Sequence, residues 1–288
     1  MIIRFFFEFI LSFVYFIHKI KLDKSLERFF YFLLHFVLRY RKFIIQKNLQ
    51  ILHPHISKID LNLKMKEYHR YLAHLIIESI WAYRATPEEI YPKLKFKNIE
   101  KFKEIFQSVQ NATILISHIG NWELFCQWAP LYIPKLNVVI LYTPIKNKIL
   151  NSILLQYRQR FGAILVSTKS TLDLFRIQKT KNVCINLFAI DQNPGDPYHQ
   201  HWLKFFEQEV PVISGAEKFA KSQKQKAYFL YVTQSDTYEL ELIEIPYDST
   251  INYDLTQRQF QILEKNILEN SSLWLLSHNR FKYLKKES

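Results

Sequence analysis

Six short apolar runs, several of them separated by helix-patterned segments, restrict this chain more than anything else in its sequence. The runs are ATILIS (112–117), NVVILY (137–142), AILVS (163–167), NVCINLFAI (182–190), KAYFLYV (226–232) and YELELIEI (238–245). Each has strand length and is rich in Val, Ile, Leu and aromatic residues. Helical patterns fill 121–133, 146–160, 170–179 and 214–224. Near-continuous apolar strands alternating with helices predict an α/β fold with a largely parallel sheet flanked by helices. YELELIEI differs, because its apolar positions alternate, so it reads as an edge or antiparallel strand. Residues 254–270 read as a further helix, followed by a basic tail. No internal repeat, low-complexity tract or interdomain linker is visible.

The first ninety residues have another character. Residues 2–17 (IIRFFFEFILSFVYFI) are apolar except for Arg4, Glu8 and Ser12, and His18, Lys19, Lys21 and Lys24 follow at once. A spanning helix needs about 20 apolar residues, so this stretch is marginal. It reads as a membrane anchor or as a helix lying in one leaflet, and a core helix stays open as a third reading. Arg4 and Glu8 lie four apart and can pair on a helix. No small-residue cleavage site suggests a secretory signal. The run 29–45 is too interrupted by His35, Arg39, Arg41 and Lys42 to span, and fits an amphipathic helix on the domain or the bilayer surface. Residues 65–85 repeat apolar positions at helical spacing, and Pro87 after Thr86 opens a new element with Glu88 and Glu89 in its first turn. The organisation expected is an anchor or interfacial helix over 1–22, a packed helical region over 23–92 and an α/β domain over 93–288.

The chemistry concentrates in ATILISHIGNWELF. The strand 112–117 ends at His118, Gly120 and Asn121 make a turn, Asn121 is a good N-cap, and Glu123 falls in the first helical turn. An imidazole and a carboxylate thus meet at the C-terminal end of a strand, where open α/β sheets place their ligands. A carboxylate beside a histidine fixes its tautomer and stabilises the imidazolium formed when it accepts a proton. An acidic residue in a first turn also complements the helix dipole without any catalytic purpose, and that reading stays open on these residues alone. The chain has only four glycines, Gly120, Gly162, Gly195 and Gly215, and a chain so poor in glycine is expected to keep them at tight turns or close approaches. Its two cysteines, Cys126 and Cys184, sit in apolar stretches without metal spacing and read as buried thiols.

HIGNWE resembles the HxGNWE form of the HxxxxD/E motif of the bacterial late lipid A acyltransferases, within the wider lysophospholipid-acyltransferase-like family. Five further segments resemble that family in the same order: YRKFIIQKNLQILHP (40–54), RQRFGAILV (158–166), FAIDQNPG (188–195), SGAEKFAK (214–221) and WLLSHNRFK (274–282). Together they span roughly 40–282. Departures are Ile119 for a commoner Phe, and, in the last segment, Leu276, Asn279 and Phe281 where Trp, Arg and Trp are usual. These changes bear on acceptor identity more than on chemistry.

The resemblance implies a glycerolphosphate-acyltransferase-like fold and transfer of a fatty acyl chain from an acyl thioester, carried by acyl carrier protein (ACP) or CoA, to a hydroxyl of a lipid A precursor. It makes His118 the general base and Glu123 its orienting carboxylate, with no acyl-enzyme, cofactor or metal. Arg158 and Arg160 become candidates for binding phosphate or carboxylate, although their spacing keeps both from facing one site. Asp191, with Gln192, follows a strand and is expected to hold a basic group or shape the pocket near His118, with Asn121 completing the substrate-binding set; a plain turn is the other reading of DQNPGDP. Phe125, Trp128, Phe188 and Trp202 are possible walls for the acyl chain. His53/His55 and His199/His201 lack a fixed third ligand for a metal.

A net charge of +13 favours an anionic inner leaflet or an acidic carrier, and the expected location is the cytoplasmic face of the bacterial inner membrane. Nucleic acid would suit the charge, but no nucleic-acid motif accompanies it. The remaining alternatives keep the chemistry on a lysophospholipid, glycolipid or amino acid lipid, or drop it for a non-catalytic lipid-binding protein.

Overall fold

The computed structural model describes residues 2–100, 103, 111–132, 136–181, 183–198 and 200–285, with backbone only for 2–7, 128 and 129. Five helices precede the first strand: α1 (Ile2–Lys19), α2 (Asp23–Phe32), α3 (Lys42–Leu52), α4 (Lys58–Ala82) and α5 (Pro87–Ile90). The end of α2 runs into a π-helical turn at Leu33–Val37. Local signals set the boundaries. Ser57 caps α4 by accepting from the Asp60 amide at 3.1 Å. Thr86 and Glu89 form a reciprocal capping box around Pro87 at the start of α5.

Helix α1 docks on this layer. Leu11 and Val14 are buried, Glu8 pairs with Arg84 at 2.6 Å, and Lys19 pairs with Glu89 at 2.6 Å. Its other face leaves Phe9, Phe13, Phe16 and then Ile20 exposed, a 4-3-4 spacing that makes one stripe. Among the described residues no helix is long and apolar enough to cross a membrane. The expected Arg4–Glu8 pair involves a side chain outside those described.

The strands are β1 (Leu94–Phe96), β2 (Ala112–Ile116), β3 (Asn137–Tyr142), β4 (Ile164–Ser167), β5 (Cys184–Ala189), β6 (His201–Phe205), β7 (Gln208–Val212), β8 (Lys226–Gln234) and β9 (Tyr238–Ile245). Seven form one sheet in the order β1-β9-β8-β2-β5-β3-β4. From β8 to β4 all neighbours are parallel, with helices α6 (Trp122–Tyr132), α7 (Lys148–Gln159) and α8 (Leu172–Thr180) in the crossovers. All five residues of β2 are buried, as a strand covered on both faces requires. The mixed α/β sheet flanked by helices is the one expected.

The alternating run 238–245 is antiparallel to β8, as its pattern predicts. It is not the edge: the three-residue β1 pairs parallel on its outer side. The sequence reading missed β1 because three residues leave no periodicity. It missed the β6–β7 hairpin because the turn residues Phe206 and Glu207 hold φ of 50° and 57°, a conformation usually signalled by Gly or Asn. Helices α9 (Gly215–Ser222) and α10 (Asp254–Glu269) complete the domain.

After α10 the chain forms a strap over 271–282. Asn48 of α3, fully buried, donates to the carbonyls of Leu276 and His278, both at 2.8 Å. Arg41 donates to the Ser277 carbonyl and Lys47 to the Phe281 carbonyl. The Ser277 amide donates to the Tyr68 hydroxyl of α4. Helical layer and strap are therefore one hydrogen-bonded unit. Replacing Asn48→Ala leaves two carbonyls without this donor. We expect a loss of about 1–3 kcal/mol in stability, read as a lower urea midpoint with unchanged m-value; an unchanged midpoint would show that the strap is held without it.

Candidate active site

The β2–β5 register builds the site. Ile116 faces Ala189 across the parallel pair, and the Ile190 amide continues the ladder to the Ile116 carbonyl at 3.1 Å. Two residues beyond Ile116 and Ala189, His118 and Asp191 emerge side by side at the C-terminal ends of adjacent strands. Asp191 is 2% exposed and accepts three hydrogen bonds. They come from His118 Nδ1 at 2.7 Å, the His118 amide at 3.0 Å and Trp274 Nε1 at 2.9 Å. Burial alone would raise the carboxyl, but the His118 charge and these donors outweigh it and hold the group at about 2. An ionised carboxylate only accepts, so Nδ1 carries the hydrogen and Nε2 is the basic nitrogen of the neutral ring. That Nε2 faces the Gln192 side-chain amide nitrogen at 3.1 Å.

The carboxylate in contact with the His118 ring is thus Asp191, and not Glu123, which the sequence reading expected beside it. Glu123 instead takes Arg158 in a bidentate pair, at 2.8 Å to Nε and 2.5 Å to a terminal nitrogen. Both side chains are largely buried, at 13% and 19% exposure. Burial lowers the Arg158 pKa and Glu123 more than reverses this, so the guanidinium stays charged. A first-turn carboxylate five residues from a histidine looked like its partner in sequence. The fold turns it toward the end of α7, while a residue 73 positions away reaches the imidazole.

Arg160 does not join the site. Its guanidinium donates to the carbonyls of Ala82, Tyr83 and Ala85, closing the C-terminal end of α4. Asn121 has a structural place: it is fully buried, and its Oδ1 caps α6 at the Leu124 amide, 3.2 Å away. Its Nδ2 donates to Glu78 at 3.0 Å, and Tyr238 donates to the same Glu78 oxygen at 2.9 Å. Gly120 has φ +69°, and a Cβ there would lie 2.7 Å from Phe125 Cζ, so the turn admits only glycine without movement.

The strap closes the site from the other side. The Gly120 amide donates to the Leu273 carbonyl and the Leu275 amide to the His118 carbonyl, an antiparallel bridge between Ile119 and Trp274. The Asn193 amide donates to His278 Nε2 at 3.3 Å. Burial, together with His118, Arg280 and Arg41 and against Asp191, pushes His278 down to about 4, in keeping with an accepting ring nitrogen. Arg280, fully buried, donates to Asn193 Oδ1 at 2.9 Å. Leu276 and Phe281, the apolar departures in this segment, are fully buried.

Trp274 is the functional neighbour that residue-by-residue reading missed; its place in the terminal signature was the only signal. Of the suggested acyl-chain walls, Phe125 packs on Tyr238 and Phe188 on Phe219 as core residues. Trp202 is half-buried on β6, and Trp128 lies outside the described side chains. Cys126 and Cys184 are free and buried, and burial pushes the Cys126 thiol up to about 12. His53 contacts Ser271 and His201 stacks on Tyr253, while His199 lies outside the described residues. Among the described residues no three His, Cys, Asp or Glu side chains group as metal ligands.

Asp191 has its pKa depressed on folding, from an ordinary 3.8 to about 2. Its contribution to stability is therefore complete above 3.8 and lost as pH falls through 2. We expect the carboxyl carbon signal of Asp191 in ¹³C NMR to stay that of a carboxylate from pH 8 to pH 4; a midpoint above 4 would contradict the three-donor geometry. Gly120→Ala should cost more than about 1 kcal/mol, from strain at positive φ plus the Phe125 contact, measured as a shift in the urea midpoint.

No curated protein matches the chain. The family profile described as bacterial lipid A biosynthesis acyltransferase does, over residues 2–283. The match covers nearly the whole chain and holds both His118 and Asp191, and the chain belongs to the bacterial lipid A biosynthesis acyltransferase family.

Proposed function

We propose that the protein transfers a fatty acyl chain from a thioester donor to a hydroxyl of a lipid A precursor, with His118 as general base. The observation that carries this reading is the Asp191–His118 contact, which leaves Nε2 as the basic nitrogen. The acceptor hydroxyl takes the place of the Gln192 amide at Nε2 and gives up its proton there as its oxygen attacks the thioester carbonyl. Asp191 holds the tautomer and balances the imidazolium. The carbon–sulfur bond then breaks, and the thiolate leaves with a proton returned from the imidazolium. Glu123 acts as a positioning residue by fixing Arg158, whose charge offsets negative charge on donor or acceptor.

The donor is acyl-ACP or acyl-CoA. A protein of net charge +13 suits the acidic carrier. Membrane association is supported by the exposed stripe Phe9, Phe13, Phe16 and Ile20, and by exposed Phe29, Phe32 and Phe36 farther along. Lys19, Lys21, Lys24 and Arg28 lie among them in the sequence and suit an anionic leaflet. The proposed setting is the cytoplasmic face of the bacterial inner membrane, with α1 lying in the interface.

A deletion strain complemented with wild type or variants, with lipid A and total lipids read by mass spectrometry, tests the reading. Wild type should restore one acyl chain on lipid A, and His118→Ala should not. In vitro, Asp191→Asn should lower kcat by roughly 10²–10⁴-fold, since the amide can no longer fix the Nδ1–H tautomer. Restoration by His118→Ala equal to wild type would instead make this a lipid-binding protein that does not use the histidine. A restored chain on another lipid would move the acceptor to a lysophospholipid, glycolipid or amino acid lipid.

A further inference from the structure

A cavity of about 360 Å³ lies between the π-helical turn Leu33–Val37 and α4. This is within the ~300–1,000 Å³ usual for small-ligand sites. Three cations line it, Arg39, Lys42 and Lys66, with the rings of His35 and His69, and no acidic residue does. Among the described residues none of the three cations forms an ion pair, although ion pairs are common elsewhere on this surface. The floor is ordered. His69, 1% exposed, has Nδ1 2.9 Å from the Met65 carbonyl and Nε2 3.1 Å from the Tyr40 carbonyl. Its Nδ1 also faces His35 Nδ1 at 3.1 Å.

Two of these cations, Lys42 and Lys66, act on the His35 ring as well. Burial lowers the His35 pKa, and His69, Lys66, Arg70 and Lys42 lower it further. Three uncompensated cations around a concavity repel one another, and a bound multivalent anion relieves that repulsion. The rim adds a second property: Phe36 lines the cavity at 53% exposure, and Val37 and Leu38 beside it are 57% and 64% exposed. An anion with an apolar body fits both. The chain beside the turn is also tied to the C-terminal strap. Arg41, two residues from Arg39, is bonded to the strap that supplies Trp274 to Asp191.

We propose that this cavity binds a phosphoryl group, separately from the acyl-transfer site, and that the exposed apolar rim seats the lipid that carries it. The lipid part of the proposal rests on the membrane-surface reading above; the phosphoryl part does not. Arginine and the two lysines engage the phosphoryl oxygens, and His35 Nδ1 and His69 hold the floor in place.

The test uses the full chain without acyl donor or lipid A, so that failure of acyl transfer leaves it unaffected. Two triple variants lose equal charge: Arg39→Gln/Lys42→Gln/Lys66→Gln in the cavity, and, outside it, Lys169→Gln/Lys179→Gln/Lys181→Gln on the exposed surface at and beside α8. Binding is measured to phosphatidylcholine vesicles doped with phosphatidic acid or, at equal surface charge, with oleate. Inorganic phosphate is titrated in parallel, following the His35 and His69 ring signals by NMR. A lipid headgroup site predicts about tenfold tighter binding to phosphatidic acid than to oleate, kept in the outer triple and lost in the cavity triple. Saturable phosphate-induced shifts of both rings, lost only in the cavity triple and without a lipid preference, assign the site to free phosphate. Absence of both the preference and the shifts, or equal losses in the two triples, overturns the proposal.

Discussion

A single buried carboxylate organises the reactive end of this molecule. Asp191 is withdrawn from water, and an isolated charge there would be very unfavourable. Three donors offset that cost, and each comes from a different part of the chain or of one residue: the His118 ring, the His118 amide and the Trp274 indole. The carboxylate therefore fixes three things together. It sets the tautomer of His118, it holds the backbone at the end of β2, and it anchors the C-terminal strap across the site.

The rest of the architecture serves those contacts. Parallel pairing of β2 with β5 brings residues 118 and 191 level, because each lies two positions past a register pair. The strap stays in place through Asn48, Arg41 and Lys47 of the helical layer, so α3 and α4 support the site from behind without touching the imidazole. On the opposite side of the turn, Glu78 ties Asn121 and Tyr238, which pins the start of α6 and with it Glu123 and its partner Arg158. The turn from His118 to Asn121 is thus held by two buried carboxylates, Asp191 and Glu78.

The two carboxylates also explain why the site residues sort as they do. Asn121, Arg160 and Arg280 are polar groups in motif-like segments, yet each spends its hydrogen bonds on backbone or core partners. Buried polar groups need partners, and these three find them among backbone carbonyls, a backbone amide and core side chains. Gln192 differs, because its side-chain amide nitrogen lies 3.1 Å from His118 Nε2.

Much of this was legible in the sequence. Continuous apolar runs gave the buried parallel strands, alternation gave the antiparallel β9, and local signals gave helix starts at Thr86–Pro87 and Asn121, whereas the Ser57 cap of α4 showed only in the structure. HIGNWE singled out His118, and DQ placed Asp191 at another strand end. These are local properties, set by residue type and spacing over a few positions. Partnership was not local. Whether Glu123 or Asp191 reaches His118 depends on which strand lies beside β2 and in what register, and nothing in either segment encodes that separately. The hairpin with non-glycine residues in the left-handed region, the role of Trp274 and the cationic cavity under the π-helical turn share this origin. Each depends on chain segments far apart in sequence being brought together by packing, so the residues were visible in the sequence while their partners were decided only by the tertiary fold.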